Sequence, residues 1–365
     1  MKSAFRKILT KCLGLCIAAC LVLCGCQWKP LSDPPDTDTL PADAKPDTSQ
    51  SDTEALPPPV VYYHALTGLA CEESLSLARP VAFFLDNTQS GVSQLGTSLA
   101  DVLIEAPVDN GTRFAALITD LDAAAAIGPI RSARSWLVDA VRSFDAVAVY
   151  HGTSDTFGEA PDVFPGVDSI DYAQNTNGDI FYKDPAIIAP YQVKTSGDRI
   201  QSALQNSSWR TEINQNIKPY SLADVENSYL AGGNTAHRIR CALAPSTQFE
   251  YVYNSLTQTY LRYQNGTAHT DGGNGKQLEF TNLVFLFCNV NSYSSAGGSV
   301  YSLDMASGGE GYYVSSGNYI GISWQMDENG MIRFQSNDGN VLELNCGKTY
   351  IGLVKVSDRA SLNIQ

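Results

Sequence analysis

The apolar residues of this chain come in short runs, each ended within a few positions by Gly, Pro, Asn or Asp, and this punctuation restricts the body to strands and short helices. Arg79 to Asp86 contains the unbroken stretch Val81-Ala82-Phe83-Phe84-Leu85. A run without alternation suits a strand covered on both faces. Ala100 to Val108 and Arg113 to Asp120 are the next two strands, separated by the turn triplet Asp109-Asn110-Gly111. Gly128-Pro129 then opens a helical pattern, with Trp136, Leu137, Ala140, Val141 and Phe144 at helical spacing, and Ala146 to Tyr150 makes a fourth strand. Thr153 to Gly197 has no sustained periodicity, and a loop this long is usually functional or poorly ordered.

Beyond Ser246 the runs are aromatic and β-branched: Phe249 to Tyr253, Thr259 to Tyr263, Leu283 to Val290, Tyr312 to Ser315, Tyr319 to Gln325, Met331 to Phe334, Val341 to Leu344 and Tyr350 to Val356. Asn265-Gly266, Asn329-Gly330 and Asp338-Gly339 supply the positive-φ residues that tight hairpins need. The expectation is an α+β protein. An N-terminal α/β layer with a mixed sheet, over 61–235, packs on a C-terminal antiparallel β-rich portion, over 236–365. With 365 residues, 44% of them hydrophobic, the chain can build such a core.

The first 25 residues contain Lys2, Arg6, Lys7 and Lys11, no acid, and the apolar run Cys12 to Cys24. That run is shorter than the roughly 20 apolar residues of a spanning helix and has the form of a secretory signal. Leu23-Cys24-Gly25-Cys26 resembles the cleavage box of bacterial lipoproteins, which implies a signal peptide over 1–25 and a diacylated, palmitate-type anchor on Cys26. From 26 to 60 the composition turns to Pro, Asp, Thr and Ser, a disordered tether. The whole chain carries a net charge of −14, and loss of the basic signal makes it more acidic still. Nucleic acid is excluded as a partner held by bulk charge. Outside the signal and its box only Cys71, Cys241, Cys288 and Cys346 remain, none spaced as zinc ligands, and no catalytic cysteine is expected. No cofactor motif is recognised: there is no Gly-rich phosphate loop, His-Glu zinc motif or Gly-x-Ser-x-Gly elbow.

Six runs read together resemble the YerB-like bacterial lipoproteins, a domain of unknown function: His64 to Leu69, Arg79 to Asn87, Ala100 to Phe114, Gly128 to Arg134, Asp145 to Gly152 and Gly347 to Tyr350. The resemblance implies polar site residues at Asp86, Asn87, Asp101, Glu105, Arg113, Arg131, Ser132, Arg134, His151 and Ser154, with Lys183, Asp184, Thr195 and Ser196 in the later loop. It brings no reaction. Where the family has Pro-His-Asn, this chain has Pro190-Tyr191-Gln192, so a second histidine is missing.

Arg131 and Arg134, three apart at the start of the expected helix, would share a face and grip one anion. Pairing with internal acids such as Asp101, Glu105 or Asp109 is the alternative. His151 follows a strand, where open α/β sheets place ligands, and is the one catalytic candidate; the alternative for a lone histidine there is a hydrogen bond that braces a loop. Asp86, Asn87 and Glu105 complete the expected ligand set with Arg113, Arg131, Arg134 and Ser154. The sequence thus reads as an extracytoplasmic protein, lipid-anchored to the cell membrane through Cys26, that binds an anionic envelope ligand such as a wall polymer. A hydrolase acting on wall glycan or peptide, and a scaffold docking an envelope protein, are the alternatives.

Overall fold

The computed structural model describes residues 60–88, 92–108, 111–153, 164–214, 216–217, 219–224, 233–295 and 298–365. The expected signal, Cys26, the tether up to residue 59, and Ser154 lie outside that set.

Strands of three or more residues are, in chain order, β1 (Val81–Thr88), β2 (Val102–Val108), β3 (Gly111–Ile118), β4 (Val147–Tyr150) and β5 (Ser169–Asp171). They continue with β6 (Arg238–Ala244), β7 (Thr247–Asn254), β8 (Thr259–Gln264), β9 (Asn282–Ser295) and β10 (Gly298–Asp304). The last are β11 (Gly309–Ser315), β12 (Asn318–Met326), β13 (Ile332–Gln335) and β14 (Thr349–Lys355). Helices α1 (Ser135–Arg142) and α2 (Gly197–Gln205) lie in the first half.

A 12-stranded sheet has the order Asn234–Thr235, β12, β11, β9, β14, β2, β3, β1, β4, β5, with β10 added on β9 and β13 on β12. A six-stranded sheet of β6, β7, β8 and three short strands covers one of its faces. Side chains alternate across a strand, so β1 sends Val81, Phe83 and Leu85 to the core shared with Ile239, Phe249 and Tyr251 of the small sheet. Ala82 and Phe84 point the other way, to the core shared with Trp136, Leu137 and Val141 of α1. Two cores, one per face, explain why this run carries no polar alternation.

The layering differs from the expected stacking of two portions. β14 pairs in parallel with β9 on one side and with β2 on the other, so strands from both halves form one sheet, and the C-terminal portion is not purely antiparallel. The physical reason lies in β14 itself: Thr349 to Val354 are all buried, which demands a central position covered on both faces.

The helix over 128–144 is also shorter than its periodicity suggested. It begins at Ser135, with Arg134 in extended conformation as its N-cap. Residues 130–133 are extended because their backbone is claimed by strands: Ile130 N donates to Val193 O, Arg131 N to Phe84 O, and Ala133 N to Gly152 O. Arg131 and Arg134 therefore share no helical face. Helix α2 follows the stretch that lacked periodicity, and Ser221–Leu222 is a short strand paired in parallel with Glu343–Leu344.

Candidate functional site at the carboxyl ends of the parallel strands

Antiparallel pairing of β3 with both β1 and β2, together with the parallel pairs, gives β9, β14, β2, β1, β4 and β5 one common direction. β1 and β4 pair only as far as Phe83 opposite Val149. Beyond that point they part, and Arg131 fills the gap, its N–H donating to Phe84 O and its carbonyl accepting from His151 N. A crevice of this kind, outside the carboxyl ends of adjacent strands, is where open α/β sheets bind ligands.

Five elements bring charge to it. Asp86, near the end of β1, is 1% exposed and lies opposite Arg113 on β3. Its Oδ2 accepts from Thr88 N at 3.2 Å and Thr88 Oγ1 at 2.7 Å. Its Oδ1 stands 3.8 Å from Arg131 Nε and 4.0 Å from Arg113 Nη2. Arg113 Nη1 also donates to Ser132 O at 2.6 Å. The Arg131 guanidinium lies 4.8 Å from the Tyr191 ring centroid, so the tyrosine serves as its platform.

His151 stands edge-on to Tyr172, ring centroids 4.5 Å apart, and Lys183 lies over the same tyrosine at 5.8 Å. Burial pushes the His151 pKa down; Arg131 and Lys183 add to that effect, and Asp171 opposes it. The imidazole is therefore neutral at pH 7. Asp171 Oδ1 accepts from Gly152 N at 2.6 Å and Ala173 N at 2.9 Å, which pins the loop after His151. Three cations, Arg113, Arg131 and Lys183, thus meet the carboxylates Asp86 and Asp171 in an otherwise acidic protein.

Arg131 is the most informative of them. Among the described residues its Nε and Nη1, both buried, have no hydrogen-bond partner, while the side chain as a whole is 17% exposed. Arg134 is placed differently, at the entry to α1, where its Nη1 donates back to Ala133 O at 3.1 Å.

Asn87 and Glu105, expected beside the ligand, are instead fully buried between the two sheets. Glu105 Oε2 pairs with Arg262 Nη2 at 2.9 Å and accepts from Tyr350 OH at 2.8 Å; its Oε1 accepts from Asn87 Nδ2 at 2.8 Å and Thr112 Oγ1 at 2.6 Å. Arg262 is enclosed by Phe114, Phe249, Tyr251 and Tyr350, with centroid distances of 4.9 to 5.4 Å. Burial works against its charge, and Glu105 with the tyrosine hydroxyls outweighs that, holding its pKa above the usual arginine value. The structure removes these two residues from the ligand set, because a saturated network with no exposure has no donor or acceptor to offer. Of the internal partners suggested for Arg131, Glu105 pairs with Arg262, Asp101 Oδ2 faces His64 Nε2 at 3.6 Å and accepts from Thr119 N, and Asp109 lies outside the described residues.

Sequence reasoning missed Asp171, Tyr172 and Arg262. Asp171 ends the short β5 and Tyr172 follows it, inside a stretch whose composition is that of a loop, and Arg262 stands among strand tyrosines with nothing local to mark its burial. Cys241 and Cys288, outside the signal and its box, are buried thiols in β6 and β9. Burial raises the Cys241 thiol pKa to about 12.

The comparisons with known proteins agree with this architecture. A family model described as the N-terminal domain of a protein of unknown function (DUF3048) matches residues 66–210, and the model of its C-terminal domain matches 239–351. Together they span more than half of the chain. "Putative lipoprotein YerB" of Bacillus subtilis (strain 168) is 28% identical over 302 residues, which make up 82% of this chain and 88% of that protein. A crystal structure of YerB protein from Bacillus subtilis aligns with a TM-score of 0.71 and 26% identity, covering 83% of this chain and 99% of that one. With both domain models in their expected order and the fold shared across the body, this chain belongs to the YerB-like family of bacterial lipoproteins, whose two domains are of unknown function.

Proposed function

We propose that this protein is held on the outer face of the cell membrane through Cys26 and binds an anionic envelope ligand, a wall-polymer phosphate or carboxylate, in the crevice between β1 and β4. One observation carries the reading: Arg131 has two buried guanidinium nitrogens without hydrogen-bond partners among the described residues, at the mouth of a cationic crevice. An unsatisfied buried donor costs about 1–3 kcal/mol, more when charged, and an anion's oxygen accepting from it recovers that cost. Lys183 and the neutral His151 stand close enough to extend the contact, while Asp86 orients Arg131 from behind.

The test is retention of the purified full chain on insoluble wall polymer. Arg131→Gln should lose most of the retention with the melting temperature unchanged, and wild-type retention should weaken as salt rises, because exposed charge contacts are screened within about 10 Å at 0.1 M. His151→Gln should alter affinity only modestly. Destabilisation of Arg131→Gln without lost retention would make the arginine structural and sink the proposal. The neutral imidazole beside two cations favours a second reading, hydrolysis of the bound polymer with His151 as general base. New polymer ends that appear with the wild type and vanish in His151→Gln would select it.

A further inference from the structure

The opposite end of the large sheet holds a second constellation. Lys348 immediately precedes β14, and β14 runs in the same direction as β4, so Lys348 stands at the amino ends while His151 stands at the carboxyl ends. Two open grooves of about 350 Å³ and 370 Å³ adjoin there, and Lys348 and Glu279 line both. The wall between them is firmly built. Lys348 O accepts from Thr281 N and Asn282 N at 3.0 and 3.1 Å. The neighbouring Gly347 has a φ of +141°, and a Cβ there would collide with Thr281 Oγ1, so only glycine brings the chain this close.

Lys348 Nζ donates to Ser98 O at 2.5 Å, which leaves an ammonium group further donors. Burial lowers its pKa, with Asp101 and Glu279 opposing that shift. Glu279 is exposed, its Oε2 accepting from Thr259 Oγ1 at 3.2 Å. Leu69, 48% exposed, adds an apolar contact to one groove, and Leu261 adds one to the other.

We infer that these adjoining grooves bind a short peptide, its terminal carboxylate on Lys348 and its amino group on Glu279. Charge complementarity selects this class. A simple anion attracted to Lys348 meets the Glu279 carboxylate, a simple cation meets Lys348 and Lys276, and a neutral glycan brings no opposite charge to either. A zwitterionic chain satisfies both, and hydroxyl and amide groups such as Thr281 and Asn345 suit its backbone. The site is independent of the anion crevice.

Calorimetric titration of the full chain in detergent with trialanine, its C-terminal amide and its N-acetyl form tests the inference. Trialanine should bind, with each blocked form weaker by about tenfold or more. Glu279→Gln, a surface change that should leave the melting temperature unchanged, should erase the discrimination against the acetyl form and keep that against the amide. Lys348→Met should do the reverse, and Arg131→Gln should change neither. No wild-type binding of trialanine, equal binding of the three forms, or loss of trialanine binding in Arg131→Gln would each overturn the inference.

Discussion

At the residue scale the strongest single commitment is the Glu105–Arg262 pair, both side chains 0% exposed. Removing one partner strands a buried charge, which costs about 3–5 kcal/mol. Arg262→Met should lower the free energy of unfolding by that order in urea denaturation, and the double variant Glu105→Gln, Arg262→Met should be less destabilised than the sum of its single changes. A loss below about 1 kcal/mol would mean that water reaches the pair. His269 belongs to the same network, its Nδ1 accepting from Arg262 Nε at 3.0 Å and its Nε2 facing Gln94 Oε1 at 3.1 Å. Burial, then the Arg262 charge, push its pKa down to about 3 from 6.5. The unfolded chain takes up a proton that the folded chain refuses. The stability His269 confers is therefore complete above about pH 6.5 and declines toward pH 3, with a limiting slope of about 1.4 kcal/mol per pH unit. His269→Gln should flatten that part of the stability–pH profile relative to the wild type; superimposable slopes would assign it to other groups.

Elements were legible where the local pattern and the tertiary demand coincide. The run Val81 to Leu85 is a strand because both faces of β1 meet a core, and the Trp136, Leu137, Ala140, Val141 stripe is a helix because one face does. Gly128 to Ala133 departs from the expected helix, because nothing in its own residues records that Phe84, His151, Gly152 and Val193 claim its backbone groups. The departure matters, since an extended segment puts Arg131 between two strands and Arg134 at a helix entry. Tyr350 to Val356 has a strand's composition and forms most of β14, but its parallel partners are remote in sequence. Its entry depends on Gly347, whose backbone an L-residue adopts only under strain. Gly347→Ala should lower stability by roughly 1–3 kcal/mol. An unchanged thermal midpoint would show that Thr281 yields.

For the whole molecule, one shared sheet means that the matched N- and C-terminal domains are not separable by cutting between 235 and 236, because β14 lies against β2. Pro59–Gln365 is one compact unit. The expected anchor is attached before that unit, at Cys26. Cys26→Ala should abolish metabolic lipid labelling and either release the protein from the membrane fraction or leave it uncleaved. An unmodified Cys26 on membrane-bound wild type, seen by mass spectrometry, would refute the anchor. The net charge of −14 makes a cationic crevice a local construction and not a property of the surface at large.

The sequence by itself determined what short-range chemistry encodes: most strands, the apolar stripe of α1, and the family through the run Gly128 to Arg134 and its companions; the leader, cleavage box and tether are expectations of the same kind. It also placed His151 at a strand end, where the parting of β1 from β4 makes a crevice. Only the tertiary structure decided which charges meet. Asp86 faces Arg113 and Arg131, while Glu105, in the strand that pairs with β3, turns to the opposite core and meets Arg262. Side-chain direction alternates with every residue of a strand, and partners arrive from any distance along the chain, so the division between a site and a sealed network is settled by register and packing alone.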